Sequence, residues 1–118
     1  FTAKTGADLI KFRDECVAKL EIAPETVEEF KKWTFTNEKS ACYIHCIFDS
    51  MDLYEGDHFL VDNLAIQLSH GQGNGDELKE GINGCIDNTI TDNCEKAFKG
   101  FTCFKENHLY MIKHSVST

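Results

Sequence analysis

Two of the six cysteines, Cys42 and Cys46, stand four positions apart in the run Cys42-Tyr43-Ile44-His45-Cys46. On a helix that spacing puts both on one face, a turn from each other. They point too nearly the same way to bridge each other within a regular helix. Each is expected to reach a different partner, so that this one helix anchors two others. The remaining cysteines are Cys16, Cys85, Cys94 and Cys103, and successive gaps run 25, 3, 38, 8 and 8 residues. An even cysteine count spread along 118 residues reads as three disulfides formed in an oxidising compartment. Six cysteines allow 15 pairings, and the gaps alone do not choose among them. Helix geometry disfavours Cys42–Cys46, and also Cys94–Cys103, which would join opposite sides of one helix.

The chain is long enough for one domain, read as residues 1–118 with one core. No apolar run approaches the length of a membrane span. The net charge is −8 with Arg13 as the single arginine, which argues against nucleic acid and anionic membrane surfaces. The first residue is Phe1, as expected of a mature secreted chain after signal removal or of a trimmed one.

Apolar spacing predicts an all-α chain of about six helices. Leu9, Phe12, Cys16 and Leu20 mark the first, over about Gly6 to Leu20. Pro24 suits the first turn of a second, through Phe30. Asn37 is the expected cap of a third, which carries Ile44, Ile47, Phe48 and Met51. The segment from Leu53 to Asp57 reads as a turn around Gly56. Val61, Leu64, Ala65 and Leu68 mark a fourth helix, followed by the glycine-rich stretch Gly71-Gln72-Gly73-Asn74-Gly75. Leu78, Ile82, Cys85, Ile86 and Thr89 share one side of a fifth. Gly81 and Gly84 weaken it by roughly 1 kcal/mol each relative to Ala, and a close backbone approach is their expected reason. Asp92 and Glu95 resemble a capping box for a sixth, with Cys94, Ala97, Phe98 and Phe101 on one face. After Asn107 an irregular tail is expected, with the apolar patch Leu109-Tyr110-Met111-Ile112.

Cys42, His45 and Cys46 invite a metal reading, but the Cys-x-x-Cys or His-x3-His pairs of zinc sites are absent. No metal and no cofactor is expected, and His45 reads as a partly exposed helix residue. The same run faintly resembles the helix of secreted phospholipases A2. Those enzymes need Asp directly after the histidine and a glycine-rich calcium loop upstream, and here Cys46 follows His45. Neither a Gly-x-Ser-x-Gly elbow nor a His-Glu-x-x-His helix occurs.

The cysteine pattern from Cys16 to Cys103 resembles the insect odorant-binding protein family, in its pheromone and general odorant-binding branch. The three-residue gap between Cys42 and Cys46 and the eight-residue gap between Cys94 and Cys103 carry the resemblance together. It implies bridges Cys16–Cys46, Cys42–Cys94 and Cys85–Cys103. It also implies a secreted, non-enzymatic carrier in sensillar lymph or a similar fluid, binding odorants, pheromones or related molecules around an internal apolar cavity. An odorant receptor is an implied partner, and monomer and homodimer both stay open. The rivals are a fatty-acid or lipid carrier of the same fold outside olfaction, the phospholipase-like enzyme, and an interaction protein with a solid core.

Nine Phe, Trp33 and three Tyr suit such a carrier, because a stapled shell can keep a hole open. Candidate lining positions are Leu9, Phe12, Ile44, Ile47, Phe48, Met51, Leu64, Leu68, Ile82, Ile86, Phe98 and Phe101, each of which serves equally as plain core. Trp33 and Tyr54 are further candidates. At the tail, Tyr110 and Met111 are placed near the pocket, with Lys113 to neutralise an acidic head group. At about 0.8 kcal/mol per buried methylene, a ligand of about ten carbons reaches micromolar affinity. The resemblance further implies release at low pH, for which His70, His108 and His114 are the candidate switches beside the loop and the tail.

Overall fold

The computed structural model describes residues 4–32, 34–68 and 75–115, with backbone only at 75–76 and 107–115. Helix α1 spans Gly6–Leu20, α2 Pro24–Lys31, α3 Ser40–Ser50, α4 Val61–Leu68, α5 Gly75–Cys85 and α6 Asn93–Ser115. A two-residue hairpin, β1 (Tyr54–Glu55) and β2 (His58–Phe59), sits between α3 and α4. The class is all-α, with six helices and three disulfides.

Local chemistry sets the helix ends. Thr5 opens α1 with a full capping box: its hydroxyl accepts the Asp8 N–H at 3.3 Å, and the Asp8 carboxylate accepts the Thr5 N–H at 3.0 Å. Those bonds hold the Asp8 carboxyl below its ordinary range. Helix α1 stops where Glu21 turns left-handed at φ +52°. The Lys39 ammonium then donates to the carbonyls of Leu20 and Glu21 at 3.0 Å each, a cation on a helix C-terminus. Pro24 opens α2.

Helix α3 is the hub. It packs most extensively on α6 and next on α1, while α4 leans on α5 and α6. Cys16–Cys46 ties α1 to α3 with the Cα atoms 6.0 Å apart, Cys42–Cys94 ties α3 to α6 at 4.5 Å, and Cys85–Cys103 ties α5 to α6 at 5.5 Å. These are the bridges that the resemblance implies. The buried core runs from Cys16 and Phe30 through Tyr43, Ile44 and Ile47 to Ile82, Ala97 and Phe104.

Several expectations change. Asn37 caps a turn and not the helix: its side chain accepts the Lys39 N–H at 2.9 Å, and α3 starts only at Ser40. The turn at Gly56, with φ +63°, carries a strand on each side, too short for any periodicity to show. Helix α5 ends at Cys85, so Ile86 and Thr89 lie beyond it. A Cβ at Gly84 would meet open space, so no close backbone explains that glycine. The close approach is at Gly100, where an added Cβ would lie 2.5 Å from the Phe59 ring. The expected irregular tail is helical: α6 continues without a break from Asn93 to Ser115. Asp92 caps it by accepting the Glu95 N–H at 3.0 Å.

Two polar ties fasten the hairpin to α6. The Tyr54 hydroxyl donates to Asn93 Oδ1 at 2.8 Å, and the buried Lys96 ammonium donates to the Asp57 carbonyl at 2.8 Å. Farther along, Asp87 receives the Lys99 ammonium at 2.7 Å together with the N–H and hydroxyl of Thr89. Lys99 and Thr89 hold the Asp87 carboxyl far below the usual carboxylate range.

Candidate ligand-binding site

Helices α1, α2, α3, α4 and α6 line a half-open cavity of about 130 Å³. Its wall is overwhelmingly apolar. Leu9 comes from α1 and Phe30 from α2, with Phe35 in the segment after α2. Tyr43, Ile44, Ile47 and Phe48 come from α3, followed by Met51 and Leu53. Leu64 and Leu68 close it from α4, and Phe101 and Phe104 from α6. The aromatic rings support one another: Phe30 stacks on Tyr43 at 4.3 Å, and Phe35 meets Phe101 edge-on at 5.2 Å. The Lys105 ammonium lies 5.7 Å from the Phe35 ring centre.

An apolar cavity of roughly 150 Å³ takes a guest the size of benzene and stays dry without one. The present cavity is of that order, below the roughly 300–1,000 Å³ usual for drug-sized ligands. A ligand of about ten carbons therefore either extends through the open side or makes the wall repack. Met51, with its flexible thioether, is suited to that.

Four polar side chains interrupt the wall: Arg13, Lys31, Tyr43 and Gln67. Gln67 is 1% exposed, and its amide clasps the backbone of Lys4 at both ends. Its Oε1 accepts the Lys4 N–H at 2.6 Å and its Nε2 donates to the Lys4 carbonyl at 3.0 Å. The segment before α1 is thus held by a residue of the cavity wall. Lys31 pairs with Glu28 at 3.2 Å. Burial pushes the Tyr43 hydroxyl up to about 12, with the Arg13 cation opposing part of the rise and Asp14 adding to it. Tyr43 is therefore a neutral donor at any physiological pH.

Eight of the residues expected from helix faces line this cavity: Leu9, Ile44, Ile47, Phe48, Met51, Leu64, Leu68 and Phe101. Five do not. Phe12 and Ile86 pack half-buried against the outside of the core. Ile82 is wholly buried in it. Tyr54 turns toward Asn93 on α6. Phe98 faces a separate open groove with Ala41, Lys99 and Cys103. Trp33 and His70 lie outside the described residues, as do the side chains of Tyr110, Met111, Lys113, His108 and His114. The polar wall residues went unnoticed because apolar periodicity passes over them. One signal was present: Arg13 stands one turn after Leu9, so it shares that face of α1.

Among the described residues, no group of three or more His, Cys, Asp or Glu side chains could hold a metal ion. None of the helices described is long and apolar enough to cross a membrane.

A helical shell, stapled three times around an apolar cavity with a few polar groups in its wall, is the build of a small-ligand carrier. The chain belongs to the PBP/GOBP family, whose model matches residues 1–107. It is 43% identical to odorant-binding protein 22 of Aedes aegypti, covering 98% of this chain and 86% of that protein. It is 34% identical to general odorant-binding protein 99b of Drosophila melanogaster, covering 98% and 83%. With general odorant-binding protein 99a of the same fly it shares 31%, covering 99% and 86%. This is a family of non-enzymatic carriers, which sets aside the phospholipase-like alternative.

Proposed function

We propose that the protein is a secreted carrier that reversibly binds and solubilises small hydrophobic molecules, odorants or related semiochemicals. The observation that carries the reading is the half-open apolar cavity lined by five of the six helices. The printed names of the relatives, odorant-binding proteins of a mosquito and a fly, support the ligand class. Binding needs no covalent chemistry. Six to eight buried methylenes at about 0.8 kcal/mol each give about 5–6 kcal/mol, a Kd on the order of 0.1 mM, and polar contacts at one end add to it.

Release at low pH belongs to this reading. The shifted carboxylates, Asp8, Asp57 and Asp87, are all shifted downward, away from the neutral range. Histidine is the side chain whose ordinary pKa lies nearest such a switch. His108 and His114, on the last turns of α6, are the proposed ones.

Displacement of a fluorescent apolar probe tests both parts. Saturable probe binding, displaced by one class of volatile, supports the carrier. Absence of binding after stripping of co-purified lipid would overturn it. Affinity is expected to fall between about pH 7 and about pH 5. An undiminished fall in His108→Gln would remove that histidine from the switch. The second reading, a lipid carrier outside olfaction, is favoured by the two cationic side chains in the cavity wall, Arg13 and Lys31.

A further inference from the structure

The five helices that line the cavity are held in unequal ways. Cys16–Cys46 and Cys42–Cys94 staple α1, α3 and α6 together. Helix α4 carries no bridge, but polar ties fasten it. Gln67 clasps the Lys4 backbone, Asn63 Nδ2 donates to the Asp52 carbonyl at 2.8 Å, and Asp62 pairs with Lys79 of α5 at 3.0 Å. Helix α2 has none of these. Among the described residues, no disulfide, hydrogen bond or ion pair joins it to another helix, and its salt bridge, Lys31–Glu28, is internal. What holds α2 is side-chain burial. Phe30 stacks on Tyr43 at 4.3 Å and lies 5.5 Å from the Phe35 ring, and Thr26 is buried as well. An eight-residue helix has little stability of its own in water.

This loosely held helix stands at the mouth. Most of the cavity wall is buried. The lining residues that reach solvent are Leu9 and Arg13 of α1, Lys31 of α2, and Phe35. The open side therefore lies between α1 and the far end of α2. The near end of α2 is pinned. Glu21 is left-handed, the Lys39 ammonium holds its carbonyl and that of Leu20, and Ile22 is buried just beyond. Past the far end, residues 34–39 form neither helix nor strand.

Resting on the carrier reading, we propose that α2 is a lid. It pivots over residues 22–24, lifts Phe30 off Tyr43 and widens the mouth, while the stapled helices and the latched α4 stay in place. Ligands enter and leave through the opened form. Opening brings the buried Phe30 into water, which keeps that form scarce.

Two measurements test the lid. The first is amide exchange in the unaltered protein. Residues 27–31 are expected to exchange about tenfold or more faster than residues 64–68 of α4, and to slow when N-phenyl-1-naphthylamine saturates the cavity. Exchange as slow as in α4 would overturn the lid. The second is stopped-flow binding of the same probe to Glu29→Gly. Glu29 is exposed and outside the cavity wall, so glycine there weakens the helix without touching the ligand. The closed lid loses the same free energy whether the cavity is full or empty. Association and dissociation rates are therefore expected to rise together, about fivefold each, with Kd unchanged. Glu80→Gly, the same replacement at an exposed position of α5, is expected to change neither rate. Unchanged rates in Glu29→Gly would overturn the lid while leaving the carrier standing. Faster dissociation alone, with a weaker Kd, would also overturn it, by making α2 a fixed wall. If the probe does not bind the unaltered protein, the carrier reading and the lid fall together.

Discussion

Gly100 and Gln67 are the two positions where one side chain, present or absent, decides the most. At Gly100 the missing Cβ makes room for Phe59, whose ring is hemmed in by Tyr54 at 4.9 Å, Phe104 at 5.6 Å and Phe48 at 5.9 Å. The ring has nowhere to go. Gly100→Ala gains about 1 kcal/mol of helix propensity and meets about 1–3 kcal/mol of overpacking. A lowered urea midpoint is expected, recovered in part when Phe59→Leu is added. Gln67→Ala removes both bonds to the Lys4 backbone and leaves a void beside the cavity. A loss of about 1–3 kcal/mol is expected, with faster amide exchange at Lys4. Neither position could be read from the sequence. A glycine on a helix looks alike whether it faces solvent, as Gly84 does, or a ring. A glutamine among Leu64, Ala65 and Leu68 interrupts a pattern without saying what it bonds.

At the scale of elements the sequence was most informative where apolar spacing and caps agree. Leu9, Phe12, Cys16 and Leu20 place α1, and Val61, Leu64, Ala65 and Leu68 place α4. It was least informative at Tyr54–Phe59, since two-residue strands have no period to detect. The end of α6 was legible in principle. No Gly or Pro follows Gly100, so nothing in the chain stops the helix before Ser115. The bridges give a graded prediction. In the chain-entropy model the closed loop sets the gain, and the separations are 52, 30 and 18 residues for Cys42–Cys94, Cys16–Cys46 and Cys85–Cys103. Paired Cys→Ser replacement is expected to cost about 4 kcal/mol for the first and about 3 kcal/mol for the last. Melting temperatures should fall in that order.

For the molecule as a whole, acid is the informative perturbation. Asp8, Asp57 and Asp87 all have carboxyls below their ordinary range in the fold. A depressed carboxyl stabilises the fold above its unfolded-state pKa, about 3.9, and loses that contribution as pH falls through the folded value. The urea midpoint is therefore expected to change little through these groups between about pH 7 and pH 5 and to fall below about pH 4. Asp87→Asn should flatten the low-pH decline by removing the Lys99 partner. The cavity itself sets the second expectation at this scale. At about 130 Å³ it has little room to lose, so Leu64→Phe should weaken binding of any apolar probe at least tenfold with a smaller change in stability. Binding that survives the larger ring would mean that ligands lodge elsewhere.

The order of the three bridges along the chain has a consequence for wear. The loop from Cys16 to Cys46 overlaps the loop from Cys42 to Cys94, and that overlaps the loop from Cys85 to Cys103. Like links of a chain, they leave no peptide bond between residues 16 and 103 unbracketed. A protease that nicks the backbone once, anywhere in that span, cannot release a fragment. The nicked molecule should run as one band on a gel until thiol is added, and only then as two. Under attack by proteases such a molecule stays in one piece after its first cut.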